Sequence, residues 1–213
     1  MAEVRPPNWP LRAAILVVVL GVAGFGFWRT VRSARSAPYT VSSAARGPWR
    51  VVTAPATGPK DPVLLLEPPA AFTRELFDQL FKRSMESMRA PEDRGIPLVV
   101  AGELSRAGAA APTLDALVAM AREAGLEATP PAPRCLGHLR APEPDARQQA
   151  YVALFDAPAF ATFRASLAAR LGPAAGAPTP AMLLSTIESP SEQWLPLRVD
   201  PDKDCVAPID FSP

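Results

Sequence analysis

Two cysteines, one histidine and an aspartate are the residues of this chain best placed by type to carry chemistry: Cys135-Leu-Gly-His138 in mid-chain, and Asp204 with Cys205 near the C-terminus. His138 is the only histidine, so any mechanism that needs an imidazole near neutral pH must use it. As metal ligands, Cys135, His138, Asp204 and Cys205 form a conceivable set. Structural zinc, however, is normally held by two closely spaced pairs, and only Cys135 with His138 has that spacing. A thiol–imidazole dyad is the second option, and it meets a geometric objection: on a strand, residues three apart face opposite sides of the sheet. The third option is a Cys135–Cys205 disulfide that pins the C-terminal tail, as an even cysteine pair in an oxidising compartment would. The disulfide is the expectation, with two buried free thiols and a ligand or reactive site as alternatives. No metal and no cofactor is expected. The chain lacks a phosphate-cradling glycine loop, a Gly-x-Ser-x-Gly elbow, a His-Glu-x-x-His helix and an Asp-rich calcium loop.

What must position these residues depends first on the segment that precedes them. Ala13 to Trp28 (AAILVVVLGVAGFGFW) is sixteen residues without a charge, flanked by Arg12 before and by Arg29, Arg32 and Arg35 after. At about 1.5 Å per residue such a helix covers roughly 24 Å against a ~30 Å hydrocarbon core, so it spans only if Leu11 joins it and Arg12 snorkels outward. It has no polar stripe, which disfavours a soluble surface helix. The region after it does not resemble a signal-peptidase site, with Pro38 directly behind Ala37 and arginines in between. The segment is therefore read as an uncleaved signal anchor. Arg29, Arg32 and Arg35 outnumber Arg5 and Arg12, and the positive-inside rule alone would keep the large domain cytoplasmic. The very short N-terminal arm and the cysteine pair favour the outer face. The expectation is a single-pass protein of the inner membrane with its C-terminal domain on the periplasmic side, the cytoplasmic placement being the alternative.

The expected organisation is an arm over 1–12, a transmembrane helix over 13–28, a juxtamembrane tether over 29–48 and one soluble α/β domain over 49–213. About 165 residues suffice for one compact core and not for two. With 22 basic and 21 acidic residues there is no basic field for nucleic acid. The 27 prolines sit at the edges of apolar runs, where they punctuate loops.

Within the domain, WRVVTA from Trp49, PVLLLEPP from Pro62 and IPLVVA from Ile96 read as short strands. Ala70 to Met88 reads as an amphipathic helix with Phe72, Leu76, Phe77, Leu80, Phe81, Met85 and Met88 on its apolar face. SRAGAAAP, from Ser105, reads as a flexible link. Thr113 is placed to cap a helix that runs to Ala124 and stops at Gly125, and Leu114, Leu117, Val118 and Ala121 share its inner face. Strands over 134–140 and 148–155 form a hairpin. Asp156 then caps a helix over Pro158 to Leu171, whose stripe is Phe160, Phe163, Leu167 and Leu171, and a last strand covers 181–188.

VLLLEPPAAFTRELFDQL from Val63 and YVALFDAPAFATFRASLAARL from Tyr151 share one grammar: an apolar strand, an acid, a proline, then a phenylalanine that opens an amphipathic helix. Chance capping grammar would give the same match. The fold class expected is α+β, a small sandwich of helices on a mostly antiparallel sheet, with a duplicated strand–helix–strand unit of ferredoxin-like type. The function expected is non-enzymatic: a membrane-held domain presented to a protein partner or an envelope assembly. An anchored enzyme or small-ligand receptor around Cys135 and His138 is the alternative.

Overall fold

The computed structural model describes residues 9–84, 86–92, 94–142, 145, 147–172, 175, 178–195 and 197–212, so the first eight residues of the arm and Met85 lie outside it. The chain divides into two units, Met1–Ala37 and Pro38–Pro213. The first is a single helix, α1 (Trp9–Ser36). It covers the expected anchor and continues through the arginine-bearing flank, so residues 29–36 are helical and not a tether. From Ile15 to Leu20, and again at Val22 and Phe25, its large apolar side chains are more than half exposed. Among the described residues no helix is long and apolar enough to cross a membrane. The described apolar run, Ala14 to Gly26, covers only ~20 Å at 1.5 Å per residue.

The second unit is α+β. Its strands are β1 (Tyr39–Val41), β2 (Arg50–Thr53), β3 (Pro62–Glu67), β4 (Ile96–Val100), β5 (Ala132–Arg140), β6 (Gln149–Asp156), β7 (Ala181–Ile187) and β8 (Cys205–Phe211). Its helices are α2 (Ala70–Ser84), α3 (Ala101–Ala107), α4 (Leu114–Glu123), α5 (Pro158–Leu171) and α6 (Pro201–Asp204). The strands build a three-stranded sheet, β2-β3-β4, and a curled five-stranded mixed sheet, β1-β8-β5-β6-β7. Only β1 runs parallel to its neighbour, β8. The folded unit thus begins about ten residues before the expected boundary at Trp49, because Tyr39, Val41 and Ala45 are buried. Arg83 stacks over the Tyr39 ring at 4.1 Å, and burial pushes the Tyr39 hydroxyl pKa above its ordinary value.

One ferredoxin-like sheet does not form. A split strand–helix–strand unit leaves a lane for a third strand between its two. Here the strands that flank each helix are direct neighbours: β3 pairs antiparallel with β4 across α2, and β6 pairs antiparallel with β7 across α5. Each pair is preceded by a hairpin partner, β2 or β5. The domain therefore contains two strand–strand–helix–strand runs, and their terminal strands, β4 and β7, lie against each other while belonging to separate sheets.

The helices gather on one side of the sheets around a core that includes Trp49, Phe72 and Phe155, whose rings meet at centroid distances of 5.4 to 5.8 Å. Along α2 the inner row is Phe72, Leu76 and Leu80. Phe77 and Phe81 stand one position, about 100°, beyond that row, and Phe81 is exposed. On α4, Thr113 accepts a hydrogen bond from the Ala116 N–H at 3.3 Å, and Gly125 takes φ +77° just past the end. Leu117, Met120 and Ala121 are buried there, while Leu114 is exposed. Asp156 does not cap α5: the N-cap is Ala157, and Pro158 opens the helix with its φ already set. The opposite face of the curled sheet carries a smaller cluster around Cys135, Val152, Leu154 and Leu183, covered by Leu197 and Val199.

Unpaired strand edges are liabilities. On the outer side of β1, Gln79 accepts from the Thr40 N–H (3.1 Å) and donates to the Thr40 carbonyl (2.6 Å), and Glu75 takes both the N–H and the hydroxyl of Ser42. On β2, the Val51 N–H donates to Glu127 at 2.8 Å. On β7, Arg89 and Thr186 exchange both backbone hydrogen bonds at 2.9 Å.

Candidate functional site

The fourth edge, that of β4, is covered differently and marks the candidate site. Arg164 lies in the middle of the apolar stripe of α5, one residue past Phe163 and three before Leu167, so the helix carries it inward. Its Nη1 donates to the Leu98 carbonyl at 2.8 Å and to Glu103 Oε2 at 3.1 Å, and its Nη2 donates to Glu103 Oε1 at 2.5 Å. Glu103, in the first turn of α3, also reaches back to accept from the Val100 N–H at 3.1 Å. Both residues are only 6% exposed. The bidentate pair therefore does two things: it neutralises two buried charges, and it occupies two backbone groups of β4, the Leu98 carbonyl and the Val100 N–H.

In front of this pair opens a cavity of about 950 Å³. β4 and α3 form one wall, with Leu98, Val100 and Gly102; the segment after β7, with Leu197 and Val199, forms the other. Gly102 is needed for the approach of the chain before β3. Its N–H donates to the Pro59 carbonyl at 2.7 Å, and a Cβ there would stand 2.7 Å from that same oxygen. Lys60, Arg106 and Arg198 stand at the rim, all exposed. Two carboxylates border the cavity, and each has a cation: Glu103 has Arg164, and Asp200 lies 2.8 Å from the Lys203 ammonium, which lowers the Asp200 pKa.

The four residues singled out by type lie elsewhere and do not converge. Cys135 and Cys205 are joined by a disulfide, diagonally across the β5–β8 ladder, with their Cα atoms 5.8 Å apart. Cys135 faces the smaller cluster. His138, three residues on, stands opposite Tyr151 on the other face of the sheet, where the two rings stack at 4.6 Å and 8°. Its Nε2 is 2.7 Å from Gln149 Oε1. Asp204 turns back into its own short helix and accepts from the Asp200 N–H at 2.8 Å. Among the described residues no group of three or more His, Cys, Asp or Glu side chains is placed to hold a metal ion.

The pair at the cavity was open to detection in part. An arginine at a core position of an otherwise apolar helical stripe is a signal, since such a charge must find a buried partner. Its partner, Glu103, was hidden, because the residues around it carry no clear helical period. Comparison with known proteins finds no matching family model, no similar curated protein and no similar solved structure.

Proposed function

We propose that this chain is a membrane-held binding protein without catalytic activity: α1 anchors it, and the domain from Pro38 is presented outside the cytoplasm, in the periplasm of an inner-membrane protein, to a partner. The observation that carries this reading is α1. Ile15 to Leu20 form an unbroken run of exposed large apolar side chains in a segment of the helix with no polar stripe, more than a soluble surface leaves uncovered. In the sequence the run is extended by Phe27 and Trp28 on one side and, with Arg12 snorkelling outward, by Leu11 on the other, which brings it close to the length a bilayer needs. The Cys135–Cys205 pair supports an oxidising location for the domain. With Cys135 in a disulfide and His138 on the opposite face, stacked on Tyr151, the support for a thiol-based reaction falls away.

Labelling of intact cells with a membrane-impermeant maleimide, before and after reduction, tests location and cysteine state together, and alkaline carbonate washing of the membranes tests the anchor. The expected result is a protein that stays in the washed membranes and labels only after reduction. Release by carbonate refutes the anchor. Labelling only after lysis places the domain in the cytoplasm and refutes the orientation.

A second reading is favoured by one specific observation, the 950 Å³ cavity: the domain is a receptor for a small ligand. Its site is then the cavity in front of Arg164 and Glu103, not the surroundings of Cys135 and His138.

A further inference from the structure

We propose that the start of α2 is an anion site that takes the phosphate group of a small phosphate monoester. The inference goes beyond the membrane-held reading and is independent of the larger cavity. A second cavity, of about 460 Å³, opens where the three-stranded sheet hands the chain to α2, and its size lies within the roughly 300–1,000 Å³ of small-molecule sites. Glu67 ends β3. Arg50 is its register partner on β2, and Arg94 stands on the other side, two residues before β4. Gly95 lets the Arg94 segment come close, since a Cβ there would lie 2.9 Å from the Leu66 carbonyl oxygen. All three charged residues are exposed, and among the described residues neither arginine makes an ion pair with a carboxylate.

α2 begins directly behind Pro68 and Pro69, which supply no capping side chain, and its first turn holds no acid. The Phe72 N–H turns to the Pro69 carbonyl at 2.9 Å, while the N–H groups of Ala70 and Ala71 have no acceptor among the described residues. A helix N-terminus presents about half a positive charge to any anion, so by itself it selects nothing. The second observation is Thr73. This residue lines the cavity and is only 6% exposed, yet its hydroxyl makes no hydrogen bond among the described residues. Ser105 and Thr162, by contrast, donate to the carbonyls four residues before them, at 3.0 and 3.2 Å. The Thr73 oxygen is not sealed from solvent either, so it opens onto the cavity that the residue lines. A nearly buried hydroxyl without a partner is a cost that a bound acceptor removes.

Two guanidiniums and the helix N-terminus, set against the one carboxylate of Glu67, leave about one and a half positive charges. That balance matches the charge of about −1.5 to −2 on a phosphate monoester near pH 7 better than the single charge of a carboxylate. The donors also suit it: backbone N–H groups, a hydroxyl and two guanidinium forks serve three terminal oxygens, where a carboxylate has two. The rest of the volume, bordered by Pro48 and Pro68, is left for the body of the ester.

The test is titration of the ¹⁵N-labelled full chain, in a non-ionic detergent, with glycerol 3-phosphate, inorganic phosphate and, at matched ionic strength, acetate. Glycerol 3-phosphate is expected to shift the Ala70, Ala71 and Thr73 amides saturably. Inorganic phosphate is expected to compete for the same amides, and acetate to bind at least about tenfold more weakly. The double variant Arg50→Gln, Arg94→Gln changes two exposed residues; it is expected to keep the wild-type melting temperature and to weaken glycerol 3-phosphate about tenfold or more, the loss expected when charge-assisted hydrogen bonds are missing. Thr73→Val keeps the shape and removes the hydroxyl. It is expected to weaken the ester without lowering the melting temperature, because no bond within the protein is lost. An equal response to acetate, an unchanged affinity in either variant, or amides that respond to no phosphate compound overturns the inference. Amides that shift in nanodiscs containing phosphatidic acid and not with glycerol 3-phosphate assign the phosphate to a lipid headgroup and overturn the soluble ligand. The anchor is read separately, by carbonate extraction.

Discussion

Replacing Arg164 by Met, which is of similar length and cannot pair, strands Glu103 as an uncompensated buried carboxylate and leaves the Leu98 carbonyl without its donor. Breaking a buried ion pair by removing one partner costs about 3–5 kcal/mol. For a domain of this size each kcal/mol moves the melting temperature by roughly 2–4 °C, so the expected drop is on the order of 6–20 °C. Thermal unfolding of the full chain in mild detergent, followed by near-ultraviolet circular dichroism, reads it directly. The second variant discriminates between two roles. If the pair were only an ion pair, Arg164→Met with Glu103→Leu would restore stability, as apolar replacement of buried pairs often does. Because the pair also covers the β4 edge, the double variant still leaves the Leu98 carbonyl and the Val100 N–H unsatisfied, at about 1–3 kcal/mol each. It should therefore remain well below wild type. A double variant as stable as wild type, or a single variant that loses less than about 1 kcal/mol, refutes the edge-covering role.

Cys135→Ala with Cys205→Ala opens a loop of 70 residues and should cost about 4 kcal/mol on the chain-entropy account; adding reductant should lower the wild-type melting temperature and leave the variant's unchanged. Hydrogen bonds from the Ser42 hydroxyl and N–H hold the Glu75 carboxyl below its ordinary value near 4.5. The folded state therefore binds fewer protons there than the unfolded one. The stability this contributes is fully present above that ordinary value and is lost as pH falls through the lower folded pKa. Melting temperatures between pH 6 and 3 should fall less steeply in Glu75→Gln than in wild type, and parallel curves would remove Glu75 from the account. Gly102→Ala drives a Cβ against the Pro59 carbonyl oxygen and should cost about 1–3 kcal/mol, whereas Gly58→Ala, which meets only ordinary contacts, should stay within about 0.5 kcal/mol; a melting comparison of the two checks it.

The elements legible in the sequence are those whose period or caps are local. The strands at Pro62, Ile96, Gln149 and Ala181, the helix after Ala70, the helix between Thr113 and Gly125 and the helix from Pro158 all follow from apolar spacing and from Thr, Gly or Pro at their ends. What was not legible is set by distant partners. Tyr39 to Val41 carries only three residues and too few apolar positions to announce a strand, and it becomes one because β8, 170 residues later, lies alongside. In Ala101 to Ala107, Glu103 of the first turn answers an arginine 61 residues away, a partner that no local pattern announces. The cysteine pair could be posed as a question from compartment and spacing, and the antiparallel pairing of β5 with β8 supplies the geometry. His138 looked chemical because it is the only histidine. Its parity along β5 placed it across the sheet from Cys135, and that parity can be counted in the sequence once the strand is granted.

The cavity arises where the two strand–strand–helix–strand runs meet. Joining β4 to β7 by a backbone ladder would have produced one continuous sheet, but on each strand outward groups are taken up by other parts of the chain. On β7 the Arg89 backbone takes the place of a strand at Thr186. On β4 the guanidinium and carboxylate of Arg164 and Glu103 do so at Leu98 and Val100. Side chains fill less of the interstrand space than a strand would, so the junction stays partly open, and the opening is lined by what borders it: aliphatic residues of β4 and of the segment after β7, with basic residues at the rim. The same two substitutions that keep the sheets apart thus create an apolar recess beside cationic groups. The recess sits in a domain whose remaining edges, at Thr40, Ser42 and Val51, are also answered by side chains. Strand addition is disfavoured at each of those edges.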